Sequence, residues 1–129
     1  MKKKILIVIA NYYKEIAKGL LSSSKKILPN NYKINIEYVP GVFEIPVVIS
    51  QNIKKYDAFI ALGCVIKGKT PHFDFISQAT TSAIMFLTIQ NKKPIGNGVI
   101  TCLNMKQAIL RKKKGEEAAR AILSILNKK

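Results

Sequence analysis

The chain has one histidine, and it stands among lysines. His72 falls in the run GCVIKGKTPHFD, residues 63–74. The apolar run before it, from Tyr56 to Leu62, reads as a buried strand, and Phe73, Ile76, Thr80, Ile84 and Leu87 behind it recur at helical spacing. A strand therefore ends in a loop that opens a helix. Thr70 suits the N-cap and Pro71 the first helical position, which puts His72 in the first turn. Unpaired N–H groups and the positive end of the helix dipole favour an anion there, and Lys67 and Lys69 add charge to the same loop. The chemistry on offer is anion binding beside an imidazole, the side chain suited to exchanging protons near neutral pH. The plainer alternative is a solvated basic loop with a surface histidine.

Two other stretches carry groups of the same kind. Tyr12 offers a flat face for stacking, and Glu44, with the amides near Gly41, offers hydrogen bonds. With the His72 loop they would suit a planar polar molecule next to a phosphate. No paired carboxylates, Ser-His-Asp order, GxGxxG or Walker loop is present. Cys64 and Cys102 lie outside any CxxC pattern, and one histidine cannot complete a four-ligand zinc set. Two reduced thiols and no metal are expected.

These residues have to be positioned by the elements around them. KILIVIA, Lys4 to Ala10, is apolar on both faces, as a central parallel strand requires. Ile16, Leu20, Leu21, Ile27 and Leu28 then predict a helix that stops at Pro29. Tyr32, Ile34, Ile36 and Tyr38 alternate with polar residues, the pattern of a half-buried edge strand. Ile45, Val48, Ile49 and Ile53 fit one helical face with Pro46 in the first turn. After the strand ending at Ile66 and the helix from about Pro71 to Gln90, Ile95 to Thr101 predicts a last strand. Asn104 and Gln107 cap a helix through Arg111, and Glu116 opens a final helix that buries Ala119, Ile122, Leu123 and Leu126. Four β-α units imply an α/β three-layer sandwich, a four-stranded parallel sheet with helices on both faces and a crevice at the carboxyl ends of the strands. Tyr12, Glu44 and His72 all fall at that end. So small a sheet leaves edges and apolar helix faces to cover, so association is expected.

With 129 residues and no linker, residues 1–129 are read as a single domain. Ile5 to Ala10 is too short for a membrane span or a signal peptide, so a cytoplasmic protein without a membrane partner is expected. The net charge of +15 raises nucleic-acid binding, but the basic residues are nearly all lysine, with arginine only at 111 and 120. The charge is read as a general bias that steers anions, and no nucleic-acid partner is expected.

PGVFEIP (40–46), LGCVIKG (62–68) and TPHFD (70–74), in this order and spacing, closely resemble the 6,7-dimethyl-8-ribityllumazine synthase family. Gly98 to Thr101, Asn104 and Gln107 to Ile109 extend the resemblance over nearly the whole chain. It implies a flavodoxin-like sheet of order 2-1-3-4. It also implies a transferase of riboflavin biosynthesis, condensing 5-amino-6-ribitylaminouracil with 3,4-dihydroxy-2-butanone 4-phosphate without metal or organic cofactor. By position, Tyr12 matches the aromatic that stacks on the pyrimidine, and Val42, Phe43 and Glu44 match the segment that holds the ribityl chain. Val65 and Ile66 match backbone contacts to the ring, Lys67, Lys69 and Thr70 the phosphate loop, and His72 the proton-transfer residue. Asn97 stands at a ligand-facing position that carries an aromatic in many members, and Arg111 matches the arginine that grips phosphate from the neighbouring subunit.

The resemblance further implies pentamers, or multiples of them, with active sites between subunits. The segment from Arg111 to Gly115 is shorter than the family pattern, and Lys112 to Lys114 could replace its charge. A non-catalytic lumazine or flavin carrier on the same scaffold is the alternative; retention of His72 and Arg111 favours the enzyme.

Overall fold

A computed structural model describes residues 2–128. Its first strand, β1 (Lys4–Ala10), is buried at every position from Ile5 onward, so its sequence shows no polar alternation. It lies inside the sheet, paired in parallel with β2 (Lys33–Val39) on one side and β3 (Ala58–Ile66) on the other. β4 (Ile95–Cys102) pairs in parallel with β3, which gives the order β2-β1-β3-β4, the flavodoxin-like arrangement expected.

The pleat of β1 divides the core in two. Ile5, Ile7 and Ile9 meet α1 (Lys14–Ile27) and α5 (Gly115–Leu126) through Leu20 and Ile122. Leu6 and Val8 face the other way, toward Ile45 and Ile49 of α2 (Ile45–Gln51) and Ile84 of α3 (His72–Asn91). The helix predicted behind Glu44 is therefore present, with Pro46 in its first turn. A single 3-10 turn, Val42–Glu44, precedes it and was not foreseen. The last short helix, α4 (Met105–Leu110), starts at Asn104, whose side chain accepts a bond from the Gln107 N–H at 2.9 Å. Gln107 reaches back to the Leu103 N–H at 2.8 Å, one residue before the usual capping-box donor.

The starts of β3, α3 and α5 and one side chain differ from expectation; β3 begins at Ala58, not at Tyr56. Pro71, not Thr70, is the boundary residue of α3, although the Thr70 hydroxyl still accepts a bond from the His72 N–H at 3.4 Å. α5 begins at Gly115, one residue before Glu116, and at Gly115 the close approach to the Leu20 carbonyl leaves no space for a Cβ. Tyr38, on the edge strand, is 58 % exposed and lines a groove with Lys14, Ala17, Lys18 and Leu21 of α1.

Gly96 lets α5 lie close on β4, since a Cβ there would overlap the Ala118 carbonyl. Backbone cannot yield as a flexible side chain can. Gly96→Ala is expected to cost about 2 kcal/mol or more, read as a lower denaturant midpoint at unchanged slope.

α3 is apolar on more than its inner face. Thr80 and Ile84 are buried, yet Phe75, Phe86 and Ile89 are 66 %, 62 % and 69 % exposed. Such a face is out of place on a lone chain and suits a helix covered by association.

Candidate functional site

Three strand ends supply the site. After β1 the Asn11 N–H is held by the Val39 carbonyl at 2.9 Å, so the chain turns beside β2 before entering α1. Tyr12 emerges there 75 % exposed, its ring edge-on to Tyr13 with centroids 4.9 Å apart and planes at 84°. After β2, Val42 is buried, Phe43 turns outward at 61 % exposure, and the Glu44 carboxylate accepts the Gly41 N–H at 3.0 Å. That bond closes the 3-10 turn and holds the carboxylate near Gly41.

β3 outruns its pairing with β1. The last β1–β3 partners are Ile9 and Leu62, whereas pairing with β4 continues to Ile66. The backbone edge of residues 64–66 that faces β1's side thus has no strand beside it, and the cavity forms along this edge. The Lys67 N–H then donates to the Cys102 carbonyl at 2.8 Å, after which the chain leaves the sheet for the exposed basic loop and α3.

The cavity measures about 650 Å³ and lies at the carboxyl ends of the strands, as expected for this class of sheet. It brings together Tyr12, the Val42–Phe43–Glu44 turn, Val65, Ile66 and His72, groups from three separate segments. Its size suits a small organic molecule. The groups it offers are an aromatic face, a carboxylate, an open strand edge and an imidazole.

Tyr13, Cys64 and Ile76 also line it and were not singled out as site residues. Tyr13 adjoins Tyr12 in sequence and Ile76 lies one helical turn from His72, so proximity was the available signal. Burial pushes the Cys64 thiol up to about 12, helped by neighbouring Cys102. It therefore stays a thiol at neutral pH, a wall of the cavity and not a nucleophile. Burial likewise raises the Tyr13 phenol, with Cys64 and Tyr12 adding to the shift, so its hydroxyl remains protonated.

Lys67, Lys69 and Thr70 are exposed on the loop between Ile66 and His72 but do not line the cavity. Asn97 and Arg111 are not brought to it within the chain. The Asn97 side chain accepts the Val99 N–H at 3.0 Å on β4, the edge strand opposite β2. Arg111 ends α4, its guanidinium donating to the Thr101 carbonyl at 3.1 Å, and is exposed. Both lie on the β4 side, away from β1.

The family model described as 6,7-dimethyl-8-ribityllumazine synthase matches residues 2–129. A protein of that name from Buchnera aphidicola subsp. Baizongia pistaciae is 41 % identical, the match covering 98 % of this chain and 87 % of that protein. One from Bartonella bacilliformis is also 41 % identical, over 88 % of this chain and 78 % of its own length. One from Agrobacterium fabrum is 38 % identical over 99 % of this chain and 95 % of its own.

Proposed function

The chain belongs to the 6,7-dimethyl-8-ribityllumazine synthase family, and from that premise we propose that its cavity condenses 5-amino-6-ribitylaminouracil with 3,4-dihydroxy-2-butanone 4-phosphate. The observation that carries this reading is the gathering of Tyr12, Glu44, Val65, Ile66 and His72 around one cavity from three distant segments. Tyr12 stacks on the pyrimidine. Glu44 receives ribityl hydroxyls, and the unpaired edge of β3 at Val65 and Ile66 meets the polar rim of the ring. Val42 and Phe43 flank the ribityl chain. Lys67, Lys69 and Thr70 face the phosphate.

The 5-amino nitrogen attacks the butanone carbonyl and an imine forms with loss of water. Loss of the C–O bond to phosphate, ring closure and a second dehydration complete the lumazine. His72, beside the phosphate loop, takes and returns the protons these steps move. Amine and ketone react with little further activation, so most of the acceleration comes from holding them together. His72→Ala is therefore expected to lower turnover by roughly tenfold without abolishing it. Unchanged turnover removes His72 from the mechanism.

In the proposed cytoplasmic oligomer, a pentamer or a multiple of it, the exposed face of α3 is covered by neighbouring copies. Asn97 and Arg111, on the β4 side, reach the cavity of the adjacent subunit. Mixing the purified protein with both substrates and following the lumazine chromophore tests the reading. Formation well above the uncatalysed background is expected. Background-rate formation by a folded sample that binds the product overturns it in favour of a carrier.

A further inference from the structure

The +15 charge is not evenly spread once the chain is folded. Parallel strands all begin at one end of the sheet, and α1, α2, α3 and α5 all finish there. That end holds Lys2, Lys3 and Lys4 at the start of β1, Lys33 at the start of β2, Lys54 and Lys55 before β3, and Lys92 and Lys93 before β4. Lys25 and Lys26 at the end of α1 and Lys128 after α5 join them. Eleven lysines thus share this end with Asp57, whose carboxylate is taken up by the Lys4 N–H at 2.8 Å, and Glu116, already paired with Arg120, stands within electrostatic reach of Lys26. The rest of the described chain has ten basic residues among six acidic ones. Part of the cluster has a structural explanation, since cations complement the negative ends of helices. Lys93 also donates to the Ile53 carbonyl. The lysines at the starts of β1 and β2 close no helix, and all but Lys93 are exposed.

We propose that this face, opposite the cavity, binds the phosphate backbone of nucleic acid without regard to sequence. The expectation of no nucleic-acid partner treated the charge as spread over the molecule, and the fold gathers it instead. Lysines are point charges suited to phosphate, and all eleven basic residues gathered here are lysines, without the planar fork of arginine. Ile89 and Ile125 are the large exposed apolar side chains within a turn of these lysines, too few and too scattered to form an apolar face that enters a lipid surface. Binding is therefore electrostatic and salt-dependent.

The test is fluorescence anisotropy of a labelled mixed-sequence DNA duplex with the full protein across a series of salt concentrations. It compares the unaltered chain with two triple variants of equal charge. One carries Lys3→Gln, Lys33→Gln and Lys55→Gln on this face; the other carries Lys14→Gln, Lys18→Gln and Lys106→Gln elsewhere. All six side chains are exposed, so both variants should melt with the parent. The face variant should bind ~10-fold or more weakly, with a salt dependence shallower by roughly 0.9 for each lost phosphate contact, and the control should change less than about 2-fold. Equal weakening of both variants would reduce the effect to net charge and overturn the proposal. Absence of binding at low salt, or binding to vesicles of anionic phospholipid in preference to DNA, also overturns it.

Discussion

Glu44→Ala is expected to reduce kcat/KM for the ribitylaminopyrimidine by roughly 100-fold, the equivalent of about 3 kcal/mol. Two losses combine in it. Among the described residues that line the cavity the carboxylate is the only acidic group, so on the proposed reading its removal leaves the polyol hydroxyls without a charged acceptor. It also accepts the Gly41 N–H, so removing it frees the 3-10 turn that places Val42 and Phe43. Glu44→Gln separates the two, because its amide oxygen can still hold Gly41 while the charge is gone. An intermediate loss confined to the pyrimidine supports the assignment. If Gln is as damaging as Ala and the effect extends equally to the butanone phosphate, Glu44 acts through the loop and does not read the ribityl chain.

How far the sequence foretold this site depends on which physical signal each residue leaves. His72 and Glu44 announce themselves because each sits next to a local boundary, a helix start or a Pro-Gly turn, that any reader of helix and turn chemistry finds. The apolar run of β1 and the alternation in β2 are equally plain, since burial on two faces or on one leaves different periods. The open edge of β3 leaves no such mark. It arises because β1 stops pairing at Leu62 while β4 continues to Ile66, a mismatch between partners distant in the chain. The same holds for Gly96, which reads as a weak point in a strand and proves to be where α5 makes its close approach. The apolar exterior of α3 falls between the two cases. Its inner stripe was legible, but Phe75, Phe86 and Ile89 blur the period because apolar residues on the exposed face look like core in the sequence.

Arg111 sharpens the consequence of that exterior. Within one chain its guanidinium holds the Thr101 carbonyl and it does not line the cavity, so on this geometry Arg111→Ala should leave the chain's own pocket intact. If the residue serves a neighbour, the variant should lose roughly 100-fold in kcat/KM for the butanone phosphate, the cost of removing a charge-assisted phosphate contact, with the pyrimidine much less affected. An effect confined to the pyrimidine would sink the assignment. A stronger test combines two defective chains. In a ring with head-to-tail interfaces, a subunit carrying Arg111→Ala still has His72, and a neighbour carrying His72→Ala still has Arg111. Co-expressed in equal amounts, the two should rebuild intact composite sites at roughly a quarter of all positions, well above either variant alone. Activity equal to the average of the two pure variants would mean that Arg111 works within its own chain or not at all. Recovery, by contrast, would make the oligomer part of the catalytic site, since no single copy would then contain all the groups that bind the phosphate.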